Sequence, residues 1–279
     1  MIDLALNTAT TRRQWGLREA VEGCKRHGLS SIVPWRDQVL ELGLETSAQL
    51  LRNSGLGVTG YCRGGMFPAN NEAGRRDAIE ENRRVIDEAF AIGSPLVVLV
   101  CGGLPEGSKD LSGAREMVID GIHSIMDHAR SANIKLAIEP LHPMQAADRS
   151  CINTLAQANE ICDLLEPSGS STLGIAMDVY HVWWDPDLTR QLHRAGASRL
   201  IGFHLCDWLV STRHLVTDRG MMGDGIIDLE SIALTMSEAG FKGIPEVEIF
   251  SEYWWSQPAD EVLHTAKERA YSVLNKLSR

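Results

Sequence analysis

The chain has 279 residues, 44% of them hydrophobic, and a formal net charge of −10. That length suits one α/β barrel, since such barrels commonly run to about 250 residues as a single domain. An acidic surface opposes binding to phosphate backbones and anionic membranes, but not to a neutral sugar.

Short β-rich runs alternate with helical patterns from end to end. Strands are predicted at Ile2–Asn7, Ser31–Trp35, Gly57–Cys62, Leu96–Cys101, Lys135–Glu139, Leu173–Asp178, Leu200–Cys206 and Ile244–Phe250. Helices are predicted at Arg12–His27, Glu45–Ser54, Glu72–Ile92, Ala114–Ala132, Thr154–Leu165, Leu188–Ala195, Leu229–Ala239 and Ala259–Leu277. Runs such as Leu96-Val-Val-Leu-Val-Cys101 are apolar throughout, as strands covered on both faces are. Glycine punctuates several helix-to-strand joins, at Gly28, Gly55 and Gly240, which reads as helix C-capping. Eight βα units in this length predict a single-domain α/β fold over residues 1–279, a (β/α)₈ TIM barrel. The competing doubly wound sheet lacks a GxGxxG after its first strand.

The six cysteines form no CxxC pair and read as buried free thiols of a reducing compartment. The opening Met-Ile-Asp-Leu-Ala has no basic segment followed by a long apolar one. No uncharged apolar run reaches 18 residues. The expectation is a cytoplasmic protein without a membrane or nucleic-acid partner.

The informative residues end the later strands. These read Ala137-Ile-Glu139-Pro-Leu-His142, Ala176-Met-Asp178-Val-Tyr-His181, Phe203-His204-Leu-Cys-Asp207-Trp208 and Glu246-Val-Glu248-Ile-Phe250. Barrel strands converge at their C-terminal ends, where catalysis sits. One acid after a strand is usually a cap or a solvated group. Glu139, Asp178, His204 and Glu248 on four successive strands form a set, and three carboxylates at one mouth repel unless a cation joins them. Three carboxylates with one imidazole suit one divalent ion, Mn²⁺ first or Mg²⁺, with Co²⁺ or Zn²⁺ as further choices.

These endings, together with Arg219-Gly-Met-Met-Gly-Asp-Gly225, resemble the xylose isomerase-like TIM-barrel superfamily of sugar isomerases and epimerases. The resemblance implies that Glu139, Asp178, His204 and Glu248 are metal ligands, and that Glu139 and Glu248 also move protons. It implies substrate contact for His181 and Asp207, with Arg219 standing in for a family arginine. One departure is plain. Ketohexose 3-epimerases carry a second substrate-binding glutamate soon after the strand-five acid, whereas this chain has His142-Pro-Met-Gln145 there.

The implied chemistry is proton abstraction beside a carbonyl of a small carbohydrate, through an enediolate. Return of the proton to the opposite face gives epimerisation, and return to the neighbouring carbon gives isomerisation. Loss of a β-substituent from an inosose or 3-keto-sugar would make the enzyme a lyase, with His142 as an additional acid/base. Further alternatives are an abasic-site endonuclease and a non-catalytic sugar-binding barrel. Tryptophans near strand ends suit sugar faces, Trp183 and Trp208 foremost. Arg63 after strand three is a substrate-binding candidate, although Arg63-Gly-Gly and Cys101-Gly-Gly also read as simple turns. The Gly220–Gly225 segment reads as a mobile flap. Trp254 and Trp255, if exposed, predict a homodimer or homotetramer.

Overall fold

The computed structural model describes residues 3–167 and 172–275. Ile2 of the first predicted strand and residues 276–277 of the last predicted helix lie outside the described residues.

Eleven strands are present among the described residues: β1 (Ala5–Asn7), β2 (Ser31–Val33), β3 (Gly57–Val58), β4 (Tyr61–Gly65), β5 (Leu96–Val100), β6 (Lys135–Ile138), β7 (Leu173–Asp178), β8 (Leu200–Leu205), β9 (Asp207–Trp208), β10 (Arg219–Gly220) and β11 (Glu246–Val247). Nine form one sheet in the order β3-β2-β1-β11-β8-β7-β6-β5-β4, parallel throughout. β3 and β4 are two pieces of the third predicted strand. β3 pairs with β2, β4 pairs with β5, and a bridge from Trp35 to Cys62 draws the two edges together. The result is a nearly closed parallel barrel of the TIM type.

Helices α1 (Leu17–His27), α2 (Arg36–Leu42), α3 (Leu44–Ser54), α4 (Glu72–Ile92), α5 (Leu111–Ser131), α6 (Leu155–Leu165), α7 (Val179–Val182), α8 (Leu188–Arg199), α9 (Leu229–Glu238), α10 (Glu252–Trp255) and α11 (Ala259–Leu274) accompany the strands. The glycine caps fall as expected: Gly28 and Gly55 adopt left-handed conformations at the ends of α1 and α3. Thr154 and Gln157 form a capping box that starts α6. The sequence reading missed α2 and the antiparallel β9–β10 ribbon, which lies beside the mouth. It also extended the last strand. Only Glu246 and Val247 keep the ladder, although the Glu248 N–H still donates to the Leu205 carbonyl at 3.1 Å.

The main core lies between sheet and helices, with Val97, Leu99, Leu136, Ile138, Ile175 and Phe203 facing outward from the strands. A smaller core fills the barrel. Its central residues are short: Ala5, Ala137 and Ala176, with Val33, Cys62 and Val98 around them. Short side chains there leave the space above for longer polar ones. All six cysteines are buried and unpaired. No described helix is long and apolar enough to cross a membrane.

Candidate metal centre and active site

Each strand delivers its polar residue by position. Glu139 directly follows β6, Asp178 ends β7, His204 is the penultimate residue of β8, and Glu248 directly follows β11. The register sets Asp178 beside His204, and His204 beside Glu246. The donor atoms of Glu139, Asp178, His204 and Glu248 lie within 4.8 Å of one another. None of the four residues is more than 5% exposed, so water does little to offset the crowding of three carboxylates.

The protein holds one side of this cluster firmly. Asp178 Oδ1 accepts from the Tyr180 N–H at 2.8 Å, and Glu248 Oε1 accepts from Asn7 Nδ2 at 3.0 Å. Arg219 Nη1 donates to Asp178 Oδ2 at 2.7 Å and to Glu248 Oε2 at 3.0 Å. The same guanidinium lies over the Tyr180 ring, 4.6 Å from its centroid. Glu139 Oε1 and His204 Nδ1 are 2.9 Å apart, yet neither makes a hydrogen bond. Buried polar atoms rarely go without a partner. A bare oxygen and a bare ring nitrogen, facing each other among carboxylates, match the donor set of a divalent cation. A cavity of about 20 Å³ opens here, lined by Glu139, His181, Arg219 and Glu248 among others. It has room for about one ion or water.

Burial moves these groups in different directions. It raises the Glu139 carboxyl above the usual range against the pull of the adjacent His204, and the Glu248 and Asp178 charges add to the rise. Burial would also raise Glu248, but Arg219 and His204 outweigh it and bring that carboxyl to about 2. Burial opposes charge on His204, yet Glu246, Glu139 and Glu248 together lift it well above an ordinary histidine. His181 is pushed down to about 3 by burial and is neutral at physiological pH. Its Nδ1 accepts from the His142 backbone N–H at 3.1 Å, and the Arg219 guanidinium faces its Nε2 at 3.2 Å.

Two residues of this centre escaped the sequence reading. Glu246 Oε1 lies 3.4 Å from His204 Nε2 and accepts from Asn7 Nδ2 at 2.8 Å. A carboxylate behind a metal-side imidazole fixes the ring orientation and the ring proton. Burial raises this carboxyl to about 7. The signal was available, because Glu246 and Glu248 are two apart and strand residues alternate faces. Asn7, at the end of β1, bridges the two glutamates and also accepts from the Trp35 indole N–H at 2.7 Å.

Several candidate substrate residues do other work. The Asp207 carboxylate accepts backbone N–H groups of Trp208, Gly223, Gly225 and Ile227 at 2.8–3.1 Å, so it ties down a loop. The proposed flap is accordingly anchored, with Met221 and Met222 buried. His142 stacks on Trp208, with centroids 4.8 Å apart, and its Nδ1 accepts from the Met144 N–H at 3.3 Å. It does not line the cavity above the cluster. Trp183 and Trp208 pack on each other, with centroids 5.7 Å apart, and line neither mouth cavity. Trp35 lines both. Trp254 and Trp255 are not an exposed pair either: Trp255 is buried and donates to the Ala9 carbonyl at 2.9 Å, and Trp254 is half-buried. The argument from them for an oligomer therefore fails. The glycine pairs are packing sites. A Cβ on Gly65, at φ 106°, would strike the Val100 carbonyl, and one on Gly103 would strike that of Ala147. Arg63 does reach the mouth, lining a cavity of about 490 Å³ with Arg12, Trp35 and Arg36.

A parallel barrel with buried carboxylates and an imidazole at four consecutive strand ends has the architecture of an α/β-barrel metalloenzyme. Residues 19–270 match the model of the xylose isomerase-like TIM barrel family, and the chain belongs to that family. The inosose isomerase of Halalkalibacterium halodurans is 25% identical over 282 residues, covering 98% of this chain and 96% of that protein. A crystal structure of a Sinorhizobium meliloti 1021 protein is 53% identical, with a TM-score of 0.94, covering 97% of this chain and 98% of that one. The zinc-containing crystal structure of the IolI protein superposes with a TM-score of 0.82 at 22% identity, covering 99% of each chain. At that identity the likeness is one of fold.

Proposed function

We propose that this protein is a metal-dependent isomerase or epimerase of a polyhydroxy carbonyl compound of the inosose or ketose class. The observation that carries the reading is the buried Glu139–Asp178–His204–Glu248 cluster, with Glu139 Oε1 and His204 Nδ1 bare inside it. The full-length kinship with inosose isomerases supports the substrate class. A divalent cation held by these four residues, Mn²⁺ by the hardness of the donors, would polarise the carbonyl and the neighbouring hydroxyl.

The protein's own groups then divide the work. Glu139 and Glu248 both line the cavity, and His204 lies between them, 2.9 Å from one carboxylate and 3.8 Å from the other. One carboxylate removes the proton beside the carbonyl, and the other returns it from its own side. Glu139 is the freer base, because Glu248 has both oxygens engaged by Asn7 and Arg219. His181, neutral and lining the cavity, is placed to meet a substrate oxygen. Trp35 offers an apolar face and excludes water from the reacting carbon. His142, the additional acid/base considered for the lyase alternative, stacks on Trp208 and does not line the cavity. Six buried thiols without a disulfide accord with a cytoplasmic location.

The test is proton exchange. With Mn²⁺ added, the hydrogen beside the carbonyl of an inosose or ketose should wash out into D₂O, and chelation should stop it. A panel of inososes and ketoses that retains this hydrogen in the presence of metal-saturated protein would end the proposal.

A further inference from the structure

Among the arginines of the mouth, most are neutralised by neighbours. Arg12 pairs with Asp37, Arg36 with Glu81 and Glu88, and Arg219 with Asp178 and Glu248. Arg63 and Arg149 differ. Both are half-buried, and among the described residues neither guanidinium makes a hydrogen bond or an ion pair. Arg63 sits at the bulge where the β4–β5 register shifts between Cys62 and Gly64, a device that re-aims a side chain. It lines the cavity of about 490 Å³. Arg149 lines the small cavity over the carboxylate cluster, beside Glu139, His181 and Glu248. Trp35 borders both spaces, so the two arginines flank one mouth.

Half-burying two like charges within electrostatic reach of each other is unfavourable. The Arg63 guanidinium is held below its ordinary pKa by burial and then by Arg149. Burial, followed by Arg219, does the same to Arg149. Glu139 eases both charges, helped by Asp37 at Arg63 and by Asp148 and Glu248 at Arg149, but none of these carboxylates pairs with either guanidinium and the net effect is still unfavourable. Glu139, Asp178 and Glu248 carry three negative charges, which a divalent cation and Arg219 together would cancel. Glu246 lies beneath, against His204 and Asn7. With the cation bound, two forked donors without a partner would remain at the mouth, in a protein of net charge −10. Guanidinium groups suit carboxylate and phosphate oxygens, which they can bind in pairs.

We infer that Arg63 and Arg149 form an anion subsite at the barrel mouth, which binds a carboxylate or phosphate carried by the substrate at a distance from the reacting carbonyl. The inference rests on the proposed function and narrows its substrate class to acidic members: sugar acids or sugar phosphates.

The test holds the carbon skeleton constant and changes one end. Metal-loaded protein is titrated by calorimetry with D-glucose, D-glucuronate and D-glucose 6-phosphate. One or both anions should bind at least about tenfold more tightly than D-glucose, the range a charged hydrogen-bonded pair supplies. The tighter of the two identifies the group as carboxylate or phosphate. Arg63→Gln and Arg149→Gln should each remove most of the advantage, with D-glucose binding unchanged in both. Equal binding of all three compounds would overturn the inference, as would an advantage that survives in both variants, since the anion would then be meeting the metal alone. The D₂O exchange of an inosose or ketose is read in parallel. Exchange without anion preference defeats the subsite alone, and anion preference without exchange defeats the proposed function alone.

Discussion

The floor of the barrel mouth and its rim are built by different means. On the floor, Glu139, Asp178, His204 and Glu248 stand at the ends of paired parallel strands. The backbone ladder fixes their heights, and strand alternation fixes their direction. On the rim, Arg63 comes from a bulge, Arg149 from the loop after a short turn at Pro143–Gln145, and Trp35 from the start of a helix. Loop positions depend on contacts made far along the chain, such as the Asp207 carboxylate gathering amides from Gly223 to Ile227. The floor sets the type of chemistry and the rim sets what may enter. One fold can therefore keep its reaction while its substrate changes.

The largest effect should come from the floor. Glu139→Gln keeps the side chain's length and one carbonyl oxygen but removes the base. At saturating Mn²⁺, exchange of the substrate hydrogen with D₂O should fall by about 10²–10⁴-fold, the usual cost of losing a general base. Metal occupancy measured in the same sample separates this from loss of the cation. Full activity at full occupancy would move proton transfer to Glu248.

A middle-sized effect should come from just beneath the floor. Glu246→Gln leaves the four donors intact but removes the carboxylate behind His204 Nε2. Metal affinity should weaken by about 10–100-fold, as it does when such supporting groups are lost. Equilibrium dialysis reads this directly. Unchanged affinity would show that Asn7 and the strand pairing suffice to hold the ring.

The smallest effect should come from the aromatic shelf of the rim. His142→Ala removes a ring stacked on Trp208 and edge-on to Trp184. It should cost about 1 kcal/mol of folding stability, measured by urea unfolding, while kcat changes less than about threefold. A drop in kcat of a hundredfold with intact folding would return His142 to the reaction and blur the division between floor and rim.

The same division explains what the sequence could reveal. Apolar runs alternating with helices sufficed to read a parallel sheet covered on both faces, and the eight units with no GxGxxG favoured the barrel over the doubly wound form. The four floor residues were visible because each terminates such a run. Glu246 was visible in principle, since it stands two residues before Glu248 on the same face of the strand. The rim was opaque. Trp183 and Trp208 look like sugar-facing aromatics in sequence, yet they pack on each other, while Trp35, held by its bond to Asn7, lines the mouth. Asp207 looks like a site acid, and only the fold shows its oxygens committed to backbone amides. Arg149 has no local signature at all. Its place follows from the loop that carries it over Glu139.

The central claim is that four strand ends hold one catalytic cation, and anomalous scattering from a crystal soaked in Mn²⁺ tests it most directly. The account predicts a single strong peak bonded to Glu139, Asp178, His204 and Glu248, with Arg219 displaced from at least one of the carboxylate oxygens it now holds. Well-ordered density for all four side chains with no peak among them, and with Arg219 still bridging Asp178 and Glu248, would contradict it.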